Sequence, residues 1–103
     1  MPAPRADTRP STVPVLVLPQ ELTHRQAPAC LRMLLQGLKV HKEAGVVVDA
    51  QALSVFDTSA LAVLLECRRE ALSDRKTFAV QGLPAALTSM AGLYGVADLL
   101  PAA

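Results

Sequence analysis

The densest run of reactive side chains is Asp57-Thr58-Ser59, an acid and two hydroxyls leading straight into Leu61-Ala62-Val63-Leu64-Leu65. Side-chain oxygens of Asp, Thr and Ser accept hydrogen bonds from the unpaired amides of a first helical turn, so any of the three can cap a helix here. A helix N-terminus also favours anions. A phosphate on Thr58 or Ser59 would find a favourable field there, partly opposed by the Asp57 charge. Asp49 offers a second carboxylate. It follows an apolar strand while Asp57 precedes a helix, which puts both on the rim where open α/β sheets bind ligands. The plainer alternative is that Asp49 caps a loop and Asp57 a helix.

The remaining chemistry is sparse. His24 and His41 stand alone on polar segments and read as solvated side chains. Cys30 and Cys67 lie in helical patterns with no Cys or His at ligand spacing, so reduced, buried thiols are expected rather than a disulfide or a metal site. Arg68 and Arg69 next to Cys67 could lower its pKa, but an inert thiol is the commoner outcome. The five glycines are scattered singly and form no phosphate loop. No nucleophile–base pair is visible. The expectation is a protein without catalytic residues, metal or cofactor, whose output is contact.

The elements that must position these residues alternate. Val13 to Leu18 reads as a strand that Pro14 delays or pushes to an edge and Pro19 ends. Gln20 to Gln26 reads as a loop. A helix is predicted from about Pro28, with Ala27, Cys30 or Leu31, Leu34 or Leu35, and Leu38 on its apolar stripe. Val46-Val47-Val48-Asp49 is a strand with both faces buried, and Ala50 to Phe56 an irregular connection. The helix after Asp57 packs through Leu61, Leu64, Leu65 and Leu72, which leaves Ala62 and Val63 beside Ser59 and Glu66 as a mixed surface patch. Thr77 to Gln81 alternates as a strand. A last helix from Pro84 carries Leu87, Met90, and Leu93 or Tyr94, with Gly95 in the left-handed position past its end and Val96 closing the contact. The tail from Ala97 packs back. Strand and helix in alternation imply an α/β fold, a small, mostly parallel sheet with helices packed on it.

Composition sets limits. The 103 residues predict one domain, residues 13–103, behind a flexible lead-in, residues 1–12, rich in Pro and charge. At 51% hydrophobic and 3% aromatic, the core must be aliphatic. A net charge of +1 gives no electrostatic grip on nucleic acid or anionic lipid, and no run is long enough to span a membrane. The expectation is a soluble, cytoplasmic protein.

Val46 to Asp49 followed by Val55-Phe56-Asp57-Thr58-Ser59-Ala60-Leu61-Ala62-Val63-Leu64-Leu65 resembles the signature of STAS domains, a strand leading through Asp-Ser/Thr-x-Gly into an apolar helix. Thr77 to Pro84, and Leu93-Tyr94 with a short tail to Leu100-Pro101, are similar to the MlaB-like members of that family. The resemblance is good from Val46 to Pro101 and loose from Val13 to Gly45. It implies the STAS (anti-anti-sigma factor-like) fold and a non-catalytic subunit of a Gram-negative phospholipid ABC transporter. Such a subunit binds the cytoplasmic ATPase subunit, supports its assembly and activity, and meets the permease and the inner membrane only indirectly, with no direct insertion. The resemblance implies a partner contact at Thr58, and together with the mixed patch on the helix it extends the expected contact surface over Asp57, Ser59, Ala60, Ala62, Val63 and Glu66. Where the family usually has Gly, this chain has Ala60, which bears on how closely another backbone can approach. The alternative within the family is an antagonist of an anti-sigma factor kinase, controlled by phosphorylation at Thr58 or Ser59.

Overall fold

The computed structural model describes residues 13–103. The lead-in expected over residues 1–12 lies outside them. Strand β1 (Val15–Val17) is followed by a two-residue strand β2 (Glu21–Leu22) and helix α1 (Ala27–Val40). Then come β3 (Gly45–Asp49), a second two-residue strand β4 (Val55–Phe56), helix α2 (Thr58–Ser73), β5 (Thr77–Gln81) and helix α3 (Ala85–Leu93). One 3₁₀ turn, Ala97–Leu99, precedes the tail. The architecture is α/β with a small parallel sheet and helices packed on it, as the alternation implies.

The main sheet has the order β1-β3-β5, all parallel, with Val15, Val47 and Ala79 in one row and Leu16, Val48 and Val80 in the next. Side chains alternate across a strand. One face therefore carries Leu16, Val46, Val48, Phe78 and Val80, which join the core, while Val15, Val17, Val47, Asp49, Ala79 and Gln81 face away. Burial of β3 on both faces is not what forms: Val47 is only half-buried, because the helices cover one side. A methyl at Gly37 would lie 2.7 Å from Leu16 Cδ2, which shows how closely α1 settles on β1.

The strand order puts β1 at an edge, as expected, but Pro14 does not face outward there. Its carbonyl accepts the Val47 N–H at 3.0 Å, and the Leu18 N–H donates to the Asp49 carbonyl at 2.8 Å. Residues 14, 16 and 18 therefore turn their main-chain groups toward β3, and those of Val15 and Val17 point outward. The proline's missing N–H falls on the inner side. The opposite edge, along β5, is partly covered by the tail: Val80 N–H donates to the Pro101 carbonyl at 2.8 Å and Ala103 N–H to the Val80 carbonyl at 3.0 Å.

Two stretches read as irregular contain strands. Glu21 and Leu22 pair in parallel with Val55 and Phe56, forming a second small sheet whose Leu22 is fully enclosed. Helix α1 buries Cys30, Leu34 and Leu38, as its stripe predicts.

Helix α2 departs from expectation. It buries Ala60, Leu61, Val63, Leu64, Cys67 and Ala71, while Leu72 is 45% exposed. At 100° per residue these six span an arc of about 160° centred near Cys67 and Ala71. The helix packs against both the sheet and α1, so its buried face is wide, and its smallest side chains set the closest approach.

Helix α3 buries Leu87 and Ala91, but Leu93 is 84% and Tyr94 60% exposed, so neither completes the stripe. Gly95 does adopt the left-handed conformation (φ 72°), with Val96 N–H donating to the Ala91 carbonyl at 2.9 Å and Val96 packed against the core. Leu100 is buried, so the tail folds back.

Candidate functional site

The reactive run sits where the small β2–β4 sheet ends and α2 begins. Among its three capping candidates, Asp57 is the cap. Its backbone is extended (φ −132°, ψ −166°), and its Oδ1 accepts the Ser59 N–H at 2.8 Å. The other oxygen, Oδ2, reaches across 33 residues: it accepts the His24 main-chain N–H at 3.1 Å, and the His24 ring Nδ1 lies 3.3 Å away. Desolvation pushes the Asp57 pKa up, but the hydrogen bonds from His24 and Ser59 outweigh it and hold the carboxyl at about 2. The group is therefore a carboxylate at any physiological pH.

Thr58 opens α2 with its side chain exposed, and Ser59 is half-buried beside it. Below them a groove of about 520 Å³ runs between α1 and α2. Ala27, Pro28 and Leu31 form one wall, Ser59, Ala62 and Glu66 the other, and Val63 the floor. Of the seven residues implied in partner contact, Ala60 has no exposed surface and Val63 is 3% exposed. Both belong to the core, for the reason given by the wide buried arc of α2. Asp57, Thr58, Ser59, Ala62 and Glu66 remain at the surface. The Ala60 methyl, which the family's usual Gly would lack, is packed inward.

Glu66 is engaged by Arg69. The guanidinium donates through Nε at 2.9 Å and again through its terminal nitrogen, and it also meets Glu70 at 2.8 Å. The Arg69 hydrogen bond holds the Glu66 pKa below the ordinary carboxylate value. This cluster is exposed and gives the groove's lower rim a fixed pattern of charge.

The other candidates take structural roles. Asp49 Oδ1 accepts the Gln51 N–H at 2.9 Å, so it fastens a turn. Each carboxylate of the suspected pair is thus held by main-chain amides. No hydrogen bond joins the His24 ring to a hydroxyl among the described residues, Thr58 and Ser59 included. His41 lies 3.7 Å from Glu43 at the far end of α1. Cys30 and Cys67 are free and buried. Burial, with Cys30 nearby, pushes the Cys67 thiol up to about 12, so it is not a nucleophile at neutral pH. No group of three metal-ligating side chains forms among the described residues. No helix among them is long and apolar enough to cross a membrane.

The sequence signal missed His24. A lone histidine in a polar segment carries no mark of its partner, and only the β2–β4 pairing brings it to Asp57.

Comparison with known proteins agrees with this geometry. No curated protein matches the chain. A family model described as "Mlab, STAS domain" matches residues 6–101, beginning within the lead-in and running to the Leu100-Pro101 tail. A parallel sheet under helices, an Asp-capped helix after the second long strand and a match over nearly the whole length lead to one conclusion: the chain is a STAS domain protein of the MlaB-like family.

Proposed function

We propose that this chain is a non-catalytic subunit of a phospholipid ABC transporter and binds its cytoplasmic ATPase subunit through the start of α2. The observation that carries the reading is an exposed Thr58 and Ala62 on a capped helix, flanking an apolar groove with Ser59 and Glu66 on its rim. Small side chains at a helix surface let a partner approach closely, and a mixed apolar–polar patch suits a moderate interface. The protein then works from the cytoplasmic side and reaches the inner membrane only through the transporter.

The test is co-expression with the ATPase subunit of an Mla-type transporter from the same genome, followed by co-purification. Thr58→Glu and Ala62→Arg each place a bulky charge on the exposed face and should abolish the complex while leaving the fold intact. Val63→Arg is unsuitable, because that side chain is buried and the variant would unfold. A complex that survives both surface changes refutes the assigned face.

The second reading, a phosphorylation-controlled antagonist of an anti-sigma factor kinase, rests on the exposed Thr58 hydroxyl. A phosphate there would stand beside the Asp57 carboxylate, whose oxygens already take the Ser59 and His24 amides. A gain of about 80 Da after incubation with a neighbouring kinase and ATP would support it.

A further inference from the structure

We infer that Asp57 serves the α1–α2 groove as a clasp, a positioning residue that fixes the lead-in of α1 against the start of α2, rather than as a contact to the partner. This rests on the groove being the partner site.

Both helices that wall the groove begin at the same end of it. The turn that launches α1 is largely self-contained. Thr23 donates to Gln26 Oε1 through its N–H (2.9 Å) and its hydroxyl (2.8 Å), and the Thr23 carbonyl accepts the amides of Gln26 and Ala27. Gln26 caps nothing with its side chain, and α1 has no acid in its first turn. Among the described residues, the side-chain hydrogen bonds that leave this turn for another element are those from His24 to Asp57.

Those bonds extend the small sheet. Leu22 pairs with Phe56, and one step further the Asp57 carboxylate takes the His24 amide. With Oδ1 committed to Ser59 and Oδ2 to His24, the side chain has both oxygens occupied within the chain. A donor on the partner would find only the remaining lone pairs of oxygens already oriented by Ser59 and His24. The wall residues nearest the groove's mouth, Ala27, Pro28 and Ser59, are small or rigid and offer little interlocking of their own.

The test separates clasp from cap. Asp57→Asn keeps the side-chain shape and one good acceptor, so it still caps α2, but its amide nitrogen cannot accept from His24. Asp57→Ser is a second cap of equal preference with a single short oxygen. His24→Ala removes the ring and keeps the main-chain donor. Three quantities are measured: the urea midpoint, the hydrogen-exchange rate of the His24 amide in the isolated chain, and the dissociation constant for the ATPase subunit. Binding is read at about 0.5 M salt, where exposed charges are screened.

For Asp57→Asn and Asp57→Ser we expect a lowered midpoint, since the folded state favours the carboxylate, a His24 amide that exchanges about tenfold faster, and binding about tenfold weaker even with enough chain folded to correct for the lost stability, as for a loop that must be ordered on docking. His24→Ala should bind like the wild type. The clasp is overturned if the His24 amide exchanges as fast in the wild type as in the variants. It is also overturned if binding is unchanged after that protection is lost, or falls only in step with stability. A wild-type chain that does not bind the ATPase at all refutes the proposed function instead, and the exchange rates still decide whether the clasp exists.

Discussion

Lys76 is the one charged residue buried among the described positions, at 8% exposure, and its removal should be felt throughout the domain. It precedes β5 and donates to two carbonyls of the α1–β3 connection, that of His41 at 2.8 Å and that of Glu43 at 2.7 Å. The first belongs to the residue capping the C-terminal end of α1, where a cation also suits the helix dipole. Hydrogen bonds to a charged group contribute about 1.5–3 kcal/mol each. These values are net of desolvation, so two of them, less about 2 kcal/mol for ordering a lysine side chain, leave about 1–4 kcal/mol, with about 2 kcal/mol a central value. Lys76→Met keeps the aliphatic stem and deletes the ammonium. At about 4–8 °C per kcal/mol for a domain of this size, Tm should fall by about 8–16 °C. The assay is urea and thermal unfolding followed by circular dichroism. Lys39→Met is the control, since Lys39 is exposed in the same corner and should shift stability by less than about 0.5 kcal/mol. If Lys76→Met also loses less than about 0.5 kcal/mol, the two carbonyl bonds contribute nothing net and the reasoning fails.

Arg75 holds a left-handed conformation (φ 63°) in the turn after α2, with its N–H donating to the Leu72 carbonyl and Lys76 N–H to that of Ala71. Arg75→Gly should therefore stabilise by about 1 kcal/mol, read as a higher urea midpoint. Leu64→Ala should cost about 2–5 kcal/mol and Leu72→Ala far less, because Leu64 is enclosed and Leu72 is not. Equal losses would refute the buried face assigned to α2. The buried Cys67 thiol, with its pKa near 12 against 9.0 for a free thiol, makes stability fall as pH rises. Between those values the unfolded chain sheds the proton and the folded chain keeps it. Stability is whole below pH 9 and declines toward 12, and Cys67→Ala should flatten that decline in a Tm–pH series.

Much of the frame was legible in the chain. Three valines in a row between Gly45 and Asp49 gave the central strand, Asp57-Thr58-Ser59 gave the start of α2, and Gly95 gave the end of α3 through its backbone freedom. The two-residue strands β2 and β4 were not legible, because pairs so short carry no period and each exists only through the other. The packing of α2 was misread because leucines outweigh alanines in any count of hydrophobicity. A helix that packs against a sheet and a neighbouring helix buries the arc that permits closest approach, and here that arc holds Ala60, Cys67 and Ala71. Leu93 and Tyr94 fit a helical spacing and yet point outward, since α3 has too narrow a buried face to reach them. At the site, the role of Asp57 was half visible. Its capping followed from local rules, whereas its bond to His24 depends on a contact 33 residues away.

The inward turn of Pro14 has a practical consequence. Prolines on outer strands commonly guard a sheet against recruiting further strands, because they deny a newcomer a donor. Here the missing donor faces β3, the outward groups belong to Val15 and Val17, and those side chains are 49% and 58% exposed with no charge among them. Among the described residues, the outer margin of the sheet is thus an unguarded template for self-association in crowded or partly unfolded samples. Light scattering during concentration should rise more slowly for Val17→Lys than for the wild type, and equal curves would place the sticky surface elsewhere.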